Sequence, residues 1–359
     1  MEFLAPVRLK GYDMRTGVFY ENFQSEEQLW NTPVKRAWIT IFFLALLSLP
    51  FWGTQYILAM ACIVGIHVIA TLGLNLTTGN AGLISLSHGA FLGVGCYTVA
   101  YFGKLGVPFF VTIPIAGLLT AVLGLFVGLP SLRVKGIYLA IATLAAHFIL
   151  SFLFREWTPV TGGVQGTTIP RASLFGYQLM GDKDNFYLIY TLAIVLGIAA
   201  RNLGRTYIGR AFVAVRDRDI SAEILGVNLL KIKLLAFATG AFYAGVAGGV
   251  LGYFYGAIVP DYFSLTLSIF YLAAVIVGGL GSVLGSIFGA LFMTFVPEAL
   301  RLLSNASTHW FPNAAGLVLP MGQVVFGLLI IVFLVFEPHG LTANWRRIKR
   351  YFHLWPFKT

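Results

Sequence analysis

Between Ala37 and Phe154 the chain carries no aspartate and no glutamate. Charged residues make up 11% of the whole sequence, where a soluble globular domain carries about 25%. That shortage excludes an ordinary soluble domain. The missing acids also weigh against a self-sufficient proton-coupled carrier, because such carriers place titratable groups inside the membrane. No GxxxxGK[ST] phosphate loop occurs, so the chain does not bind ATP by that route. The two cysteines, Cys62 and Cys96, lie inside apolar runs and offer neither a disulfide framework nor metal-ligand spacing. They read as small buried hydrophobes. His67, His88 and His147 have no neighbouring carboxylate or cysteine in sequence, which leaves an intramembrane enzyme without its usual chemistry. His67 and His147 read as histidines bonded between helices.

What is present is hydrophobic: 58% of residues, with a mean hydropathy of +0.83. Apolar runs of about 20 residues recur, each long enough to cross a hydrocarbon core of about 30 Å as a helix. Hydropathy and breakers predict an all-α polytopic membrane protein of about ten transmembrane helices, near 37–53, 56–77, 83–103, 109–129, 137–154, 186–200, 234–256, 265–278, 282–299 and 321–336. Segments 186–200 and 265–278 are short for a full crossing. They either extend further or are broken or re-entrant pieces, which are allowed where protein or a water-filled cavity surrounds them. The domain plan is a tail over 1–36, a permease domain over 37–336 and a basic tail over 337–359. The polar, mixed-charge residues 1–36 do not read as a cleavable signal peptide.

The net charge of +10 is distributed by loop and does not suggest nucleic acid. One alternating set of loops holds 19 lysines and arginines: the N-terminal tail, Arg133 and Lys135, the 201–233 loop and the C-terminal tail. The other set holds five, Lys104, Arg155, Arg171, Lys183 and Arg301. Basic residues accumulate on the cytoplasmic side, so both termini and the 201–233 loop are expected in the cytoplasm and the 155–185 loop outside.

Two loops invite a functional reading. In "RDRDISAEILGVN", Asp219 can cap a short helix and Gly226 can stop it. Such an amphipathic helix suits either docking into a groove on another protein or lying on anionic lipid. The 155–185 loop, with "TGGVQGTTIP", is long enough to be either a docking surface or a cap over the bundle.

The run "GNAGLISLSHGAFLGVG", residues 79–95, is a glycine-rich break between apolar segments. A helix starting there would expose free backbone N–H groups, and the positive end of its dipole could face an anionic substrate group. Ser85, Ser87 and His88 are the candidates for bordering a translocation path. "GGLGS", with Gly279, Gly281 and Ser282, is the counterpart in the other half. The alternative is a tight inner turn over 79–82, with His88 bonded to a neighbouring helix. Glycines at four-residue spacing, Gly89 and Gly93, then Gly281, Gly285 and Gly289, suit close helix packing.

Several stretches resemble the branched-chain amino acid ABC transporter permeases. "GNAGLISLSHGAFLGVGCYTVA" is similar to the family's GxAGLxSLGHAAFxGxGAY run, with Ser87 before His88 where glycine is usual and Gly89 where alanine is common. "LRVKGIYLAIATLAAHFI", "GRAFVAVRDRDISAEILGVNLLKIKLLAFATGAFYAGVAGG", "VIVGGLGSVLGSIFGA" and "EPHGL" also match in order, from about residue 55 to 341. The extended tail and the 155–185 loop look like the LivM-type partner of the permease pair. The resemblance implies an ABC import permease of the bacterial inner membrane, paired with a sister permease, driven by two cytoplasmic ATP-binding subunits and fed by a periplasmic binding protein. The substrate would be branched-chain or other hydrophobic amino acids, with urea, short amides or aromatic acids as alternatives. This chain would be no enzyme and bind no cofactor or metal, ATP being used by its partners. The resemblance also implies ATPase contact at or near Arg210, Arg216, Asp217, Glu223 and Gly226, and binding-protein docking on the outer loop, around Gly162, Gly163 and Gln165. An ion-coupled secondary carrier is the competing class.

Overall fold

The structure is a computed structural model that describes residues 33–308 except 133, 135, 172, 175, 176, 179 and 180, then 324, 327, 328, 330–332, 335, 336 and 340–354. It divides into two units, residues 1–53 and 54–359. The described part of the first is one helix, α1 (Pro33–Trp52), whose apolar stretch is Thr40–Trp52.

The second unit is a helical bundle. Helix α2 (Gln55–Leu74) runs on as a π-helical turn over Asn75–Asn80. Then come α3 (His88–Lys104), α4 (Phe109–Gly128), α5 (Ile137–Glu156), the short α6 (Thr158–Thr161) and α7 (Asp182–Arg205). Two small helices, α8 (Tyr207–Asp217) and α9 (Asp219–Ile224), lead into α10 (Leu229–Tyr255). Helices α11 (Leu265–Gly278), α12 (Val283–Thr308) and α13 (Leu341–Leu354) follow. Among the described residues four two-residue strands form two antiparallel pairs: β1 (Thr167–Thr168) with β4 (Ala257–Ile258), and β2 (Ser173–Leu174) with β3 (Tyr177–Gln178).

Six of the helices among the described residues are long and apolar enough to cross a membrane: 55–80, 109–128, 137–156, 182–205, 229–255 and 283–302. The chain is therefore an all-α polytopic membrane protein. The 186–200 segment, short by hydropathy, is a full 24-residue helix. Its first turn carries Asp182 and Asp184 and its last Arg205, polar ends that a hydropathy window trims although they complement the helix dipole. The 265–278 segment stays at 14 residues, about 21 Å of helix, shorter than the hydrocarbon core. The segment placed at 83–103 becomes helical only at His88. Half of 321–336 lies outside the described residues; those described are helical.

Helix α10 is the hub, packed on α4, α3 and α2. Asn228 caps its start by accepting from the Lys231 N–H at 3.0 Å, and Gly256 ends it by donating to the Gly252 carbonyl. At 27 residues it spans about 40 Å, which separates two ends of the bundle. Small residues let its neighbours approach to backbone contact. A methyl group on Gly95 would collide with the backbone of Gly245, and one on Gly248 with that of Leu92. Gly285 and Gly289 do the same work between α12 and α11, where any Cβ would strike the backbone of 278–279 and of Ala274. Gly281 does not belong to that stripe. It precedes α12, is exposed, and has a φ of 72°, so its glycine serves the turn.

Candidate functional site

At one end of the bundle the two glycine-rich breaks are joined to each other. The joining residue is Asn75, buried in the π-turn that ends α2. Its Nδ2 donates to the Ser282 carbonyl and to Ser286 Oγ, both at 2.8 Å, and its Oδ1 accepts from the Gly281 N–H at 2.8 Å. One amide side chain, with two donors and an acceptor to offer, thus satisfies the free Gly281 N–H and ties the first turn of α12 to it through the Ser282 carbonyl and the Ser286 hydroxyl. Glycine at 79 follows from this: a Cβ there would strike Asn75 and the Gly281 nitrogen.

The same junction receives α8. Arg216, in the last turn of α8, donates from Nη1 to the Gly79 carbonyl at 2.8 Å. Its side chain lies over Gly82, and the same Nη1 stands 3.1 Å from where a Gly281 Cβ would be. Its Nε is paired with Asp217 at 3.1 Å, a half-exposed pair of small energetic value that orients the guanidinium. Helix α8 is itself docked, with Ala211, Phe212 and Val215 buried in a cluster with Ala236 and Phe237 of α10. Arg210 is exposed and donates to the Arg205 carbonyl.

Helix α9 follows after Arg218. Asp219 lies in its first turn and accepts from the Ile220 N–H at 2.9 Å. At its end the Val227 N–H reaches the Ala222 carbonyl at 3.0 Å and the Gly226 N–H the Glu223 carbonyl at 2.9 Å. With Gly226 at a φ of 87° this is a Schellman stop, which glycine adopts without the steric cost of a Cβ. Ala222 anchors the helix, while Ile220, Ile224 and Leu225 stand 66%, 80% and 83% exposed. Glu223 is exposed beside them.

Within the first break the chain turns at Gly82, where φ is 72°. Residues 82–87 run through the bundle without helical structure, held by the Leu86 N–H on Thr143 Oγ1 at 3.0 Å. Non-helical backbone at membrane depth requires that kind of protein cover. Ser85 and Ser87 face each other at 3.1 Å, Oγ to Oγ, and both are buried. His88 Nε2 is 2.8 Å from the Ala70 carbonyl, and its ring meets Tyr271 edge-on. The Gly89 N–H donates to Ser268 Oγ, which is 3.4 Å from His147 Nδ1. His67 Nδ1 is 2.8 Å from Thr294 Oγ1. All three histidines therefore have partners on other helices, and Ser85, Ser87 and His88 form a buried polar seam within this chain. Of the second set, Gly279 is buried, whereas Gly281 and Ser282 reach the surface beside Arg216.

The opposite end carries the 155–185 segment. β1 pairs with β4, Thr167 opposite Ile258, which stitches this segment to the chain leaving α10. Arg155 pairs with Asp261 at 2.8 Å, and Lys104 donates to Thr167. A hollow of about 160 Å³ opens between Gln165–Thr168 and Ala257–Val259, with Tyr262 at its side. Gly162 and Gln165 are exposed next to it and Gly163 is buried. Glu298, an acid within the span 283–302, is held by Arg301 at 2.6 Å and by the Tyr56 hydroxyl. Among the described residues no group of three histidines, cysteines or acids could hold a metal ion. Sequence reasoning does not single out Asn75, although an amide inside the apolar run "LGLNL", just before a glycine break, is a readable signal.

A multi-pass bundle with two interlocked helix breaks, and a small amphipathic helix tied to them, has the character of a membrane permease. The family model for the branched-chain amino acid transport system, permease component, matches residues 56–334. The chain is 32% identical over 330 residues to the high-affinity branched-chain amino acid transport system permease protein LivM of Escherichia coli, covering 84% of this chain and 74% of that one. It is 28% identical to a probable LivH permease of Methanocaldococcus jannaschii, over 79% of this chain and 90% of the relative. It is 27% identical to the ribose import permease protein RbsC of Haemophilus influenzae, over 76% and 85%. No solved structure gives a significant match. The chain belongs to the branched-chain amino acid transport permease family and is a LivM-type member of it.

Proposed function

We propose that the chain is the LivM-type transmembrane subunit of an ABC importer for branched-chain or other hydrophobic amino acids in a bacterial inner membrane. Its partners in this reading are a sister permease, two cytoplasmic ATP-binding subunits and a periplasmic binding protein. The observation that carries it is the α8–α9 pair. An exposed apolar tip, Ile220, Ile224 and Leu225, suits a groove on a partner protein. Arg216, nine residues or fewer away, is bonded to the junction of both helix breaks. Movement of a docked α9 would therefore pull on Gly79 and, through Asn75, on the start of α12. Arg210, Arg216, Asp217, Glu223 and Gly226 belong to that coupling element, and the concentration of basic residues at this end favours placing it in the cytoplasm.

On the same reading Gly162, Gly163 and Gln165 help to form the periplasmic surface that receives the binding protein. Ser85, Ser87, His88, Gly279, Gly281 and Ser282 belong to the moving wall of the translocation path. Ser85, Ser87 and His88 are buried within one chain while Gly281 reaches the surface, which favours a path between this subunit and its sister, bordered by the seam and not threaded through it. The relatives are named for branched-chain amino acids and for ribose, so one scaffold serves unlike solutes and the binding protein is the natural selector.

An ion-coupled carrier is disfavoured because Glu298 is already ion-paired with Arg301 and hydrogen-bonded by Tyr56. Uptake of labelled leucine into proteoliposomes holding the complete complex tests the proposal. ATP on the nucleotide-binding side, with binding protein on the other, should drive uptake. Uptake that needs only an ion gradient and this chain alone would overturn it.

A further inference from the structure

We propose that α13 is an interfacial helix that binds the anionic lipid surface at the end of the bundle where the two breaks meet. The inference rests on the membrane placement of α12 and is independent of what is transported. Helix α13 lies beyond residues 56–334, the stretch matched by the family model. Its start is fixed at the boundary of a span. Thr342 Oγ1 donates to the Gly278 carbonyl at 2.7 Å, and Gly340 packs on the backbone of Gly279. These are the residues from which the chain turns into α12, so α13 begins at the level where an apolar span begins. The Trp345 ring then meets Phe288 of α12 with centroids 6.0 Å apart.

Past that anchor the helix is two-sided in its chemistry. Trp345 and Ile348, three residues apart on one face, are 50% and 49% exposed. Arg346, Arg347 and Lys349 are exposed around them. The helix sequence, LTANWRRIKRYFHL, holds four basic residues and no acid. A half-exposed tryptophan beside a span and a run of arginines is what the headgroup region accommodates, with the indole and aliphatic groups entering the acyl boundary and the cations on phosphates. Lipid is favoured over a protein groove because the apolar residues are continuous with a membrane-facing helix through the Trp345–Phe288 contact. A bilayer edge must in any case lie at that level.

Hydrogen–deuterium exchange of the full-length chain in lipid nanodiscs tests this. Residues 341–354 should exchange more slowly in nanodiscs containing phosphatidylglycerol than in purely zwitterionic ones. Each basic residue near an anionic surface contributes roughly a fivefold effect, so the three exposed cations should give a difference of at least about tenfold. High salt should erase it, and the R346Q/R347Q/K349Q variant should lack it. Equal protection in both lipids would overturn the proposal, and so would protection that appears only when ATP-binding subunits are added. The lipid comparison uses the natural chain, so it stands even if the variant folds poorly, and its failure would leave the permease reading intact.

Discussion

Replacing Asn75 with alanine should unfasten the junction between the two helix breaks. The side chain makes three hydrogen bonds, each of 2.8 Å, to Ser282, Ser286 and Gly281. Hydrogen bonds between helices in membrane proteins average about 0.6 kcal/mol by double-mutant cycle, so three give about 2 kcal/mol. A buried partner left unpaired adds to that, at about 1–3 kcal/mol per group. Here the addition is limited, because Gly281 is exposed and its N–H can turn to water, and because Ser286 Oγ retains the Ser282 carbonyl at 3.4 Å. The expected loss is therefore about 2–3 kcal/mol. Reversible unfolding of the purified chain in mixed micelles measures it, with Ser286→Ala as the internal control. That variant removes one of the three bonds and should cost about 0.6–1 kcal/mol, and the double variant should cost less than the sum. A loss below about 0.5 kcal/mol for Asn75→Ala, or strict additivity with Ser286→Ala, would refute the view that Asn75 clasps the breaks.

Other substitutions separate coupling from folding. Glu223→Lys, on an exposed position of α9, should leave the chain folded in the membrane while uptake becomes uncoupled from ATP hydrolysis; unchanged uptake at normal expression counts against the docking role. Leu225→Asp should weaken retention of the ATP-binding subunits on affinity purification without changing thermal stability of the isolated chain. Arg216→Gln removes the bond to the Gly79 carbonyl, and the expected result is ATP hydrolysis no longer matched by transport, read as moles of ATP per mole of solute. Gly281→Leu forces a branched side chain into a left-handed turn at a cost of about 1–2 kcal/mol and against Arg216, so its melting temperature in detergent should fall.

The long spans were legible from hydropathy because crossing a membrane demands about 20 apolar residues wherever the segment packs. The ends of α7 were not, since Asp182, Asp184 and Arg205 lower the average although they belong to the helix. The stop at Gly226 was readable because a short helix needs a left-handed residue after it. The clasp was harder. Asn75 and Ser286 are 211 residues apart, and their meeting depends on how α2 lies against α12, which no local pattern encodes. Four-residue spacing points to helix packing for Gly281, whereas its φ of 72° assigns it to the turn. In sequence, α13 reads only as a basic tail beyond the last span. Its apolar residues are too few to register as hydrophobic, yet enough to be amphipathic.

The proposed role makes this chain one subunit of an ATP-driven complex. Affinity purification of the tagged chain from native membranes in mild detergent, with mass spectrometry of what accompanies it, tests that most directly. The expected result is recovery of a second permease of the same family together with ATP-binding subunits carrying the phosphate loop that this chain lacks. A chain recovered alone, and active in proteoliposomes on an ion gradient without ATP, would contradict it.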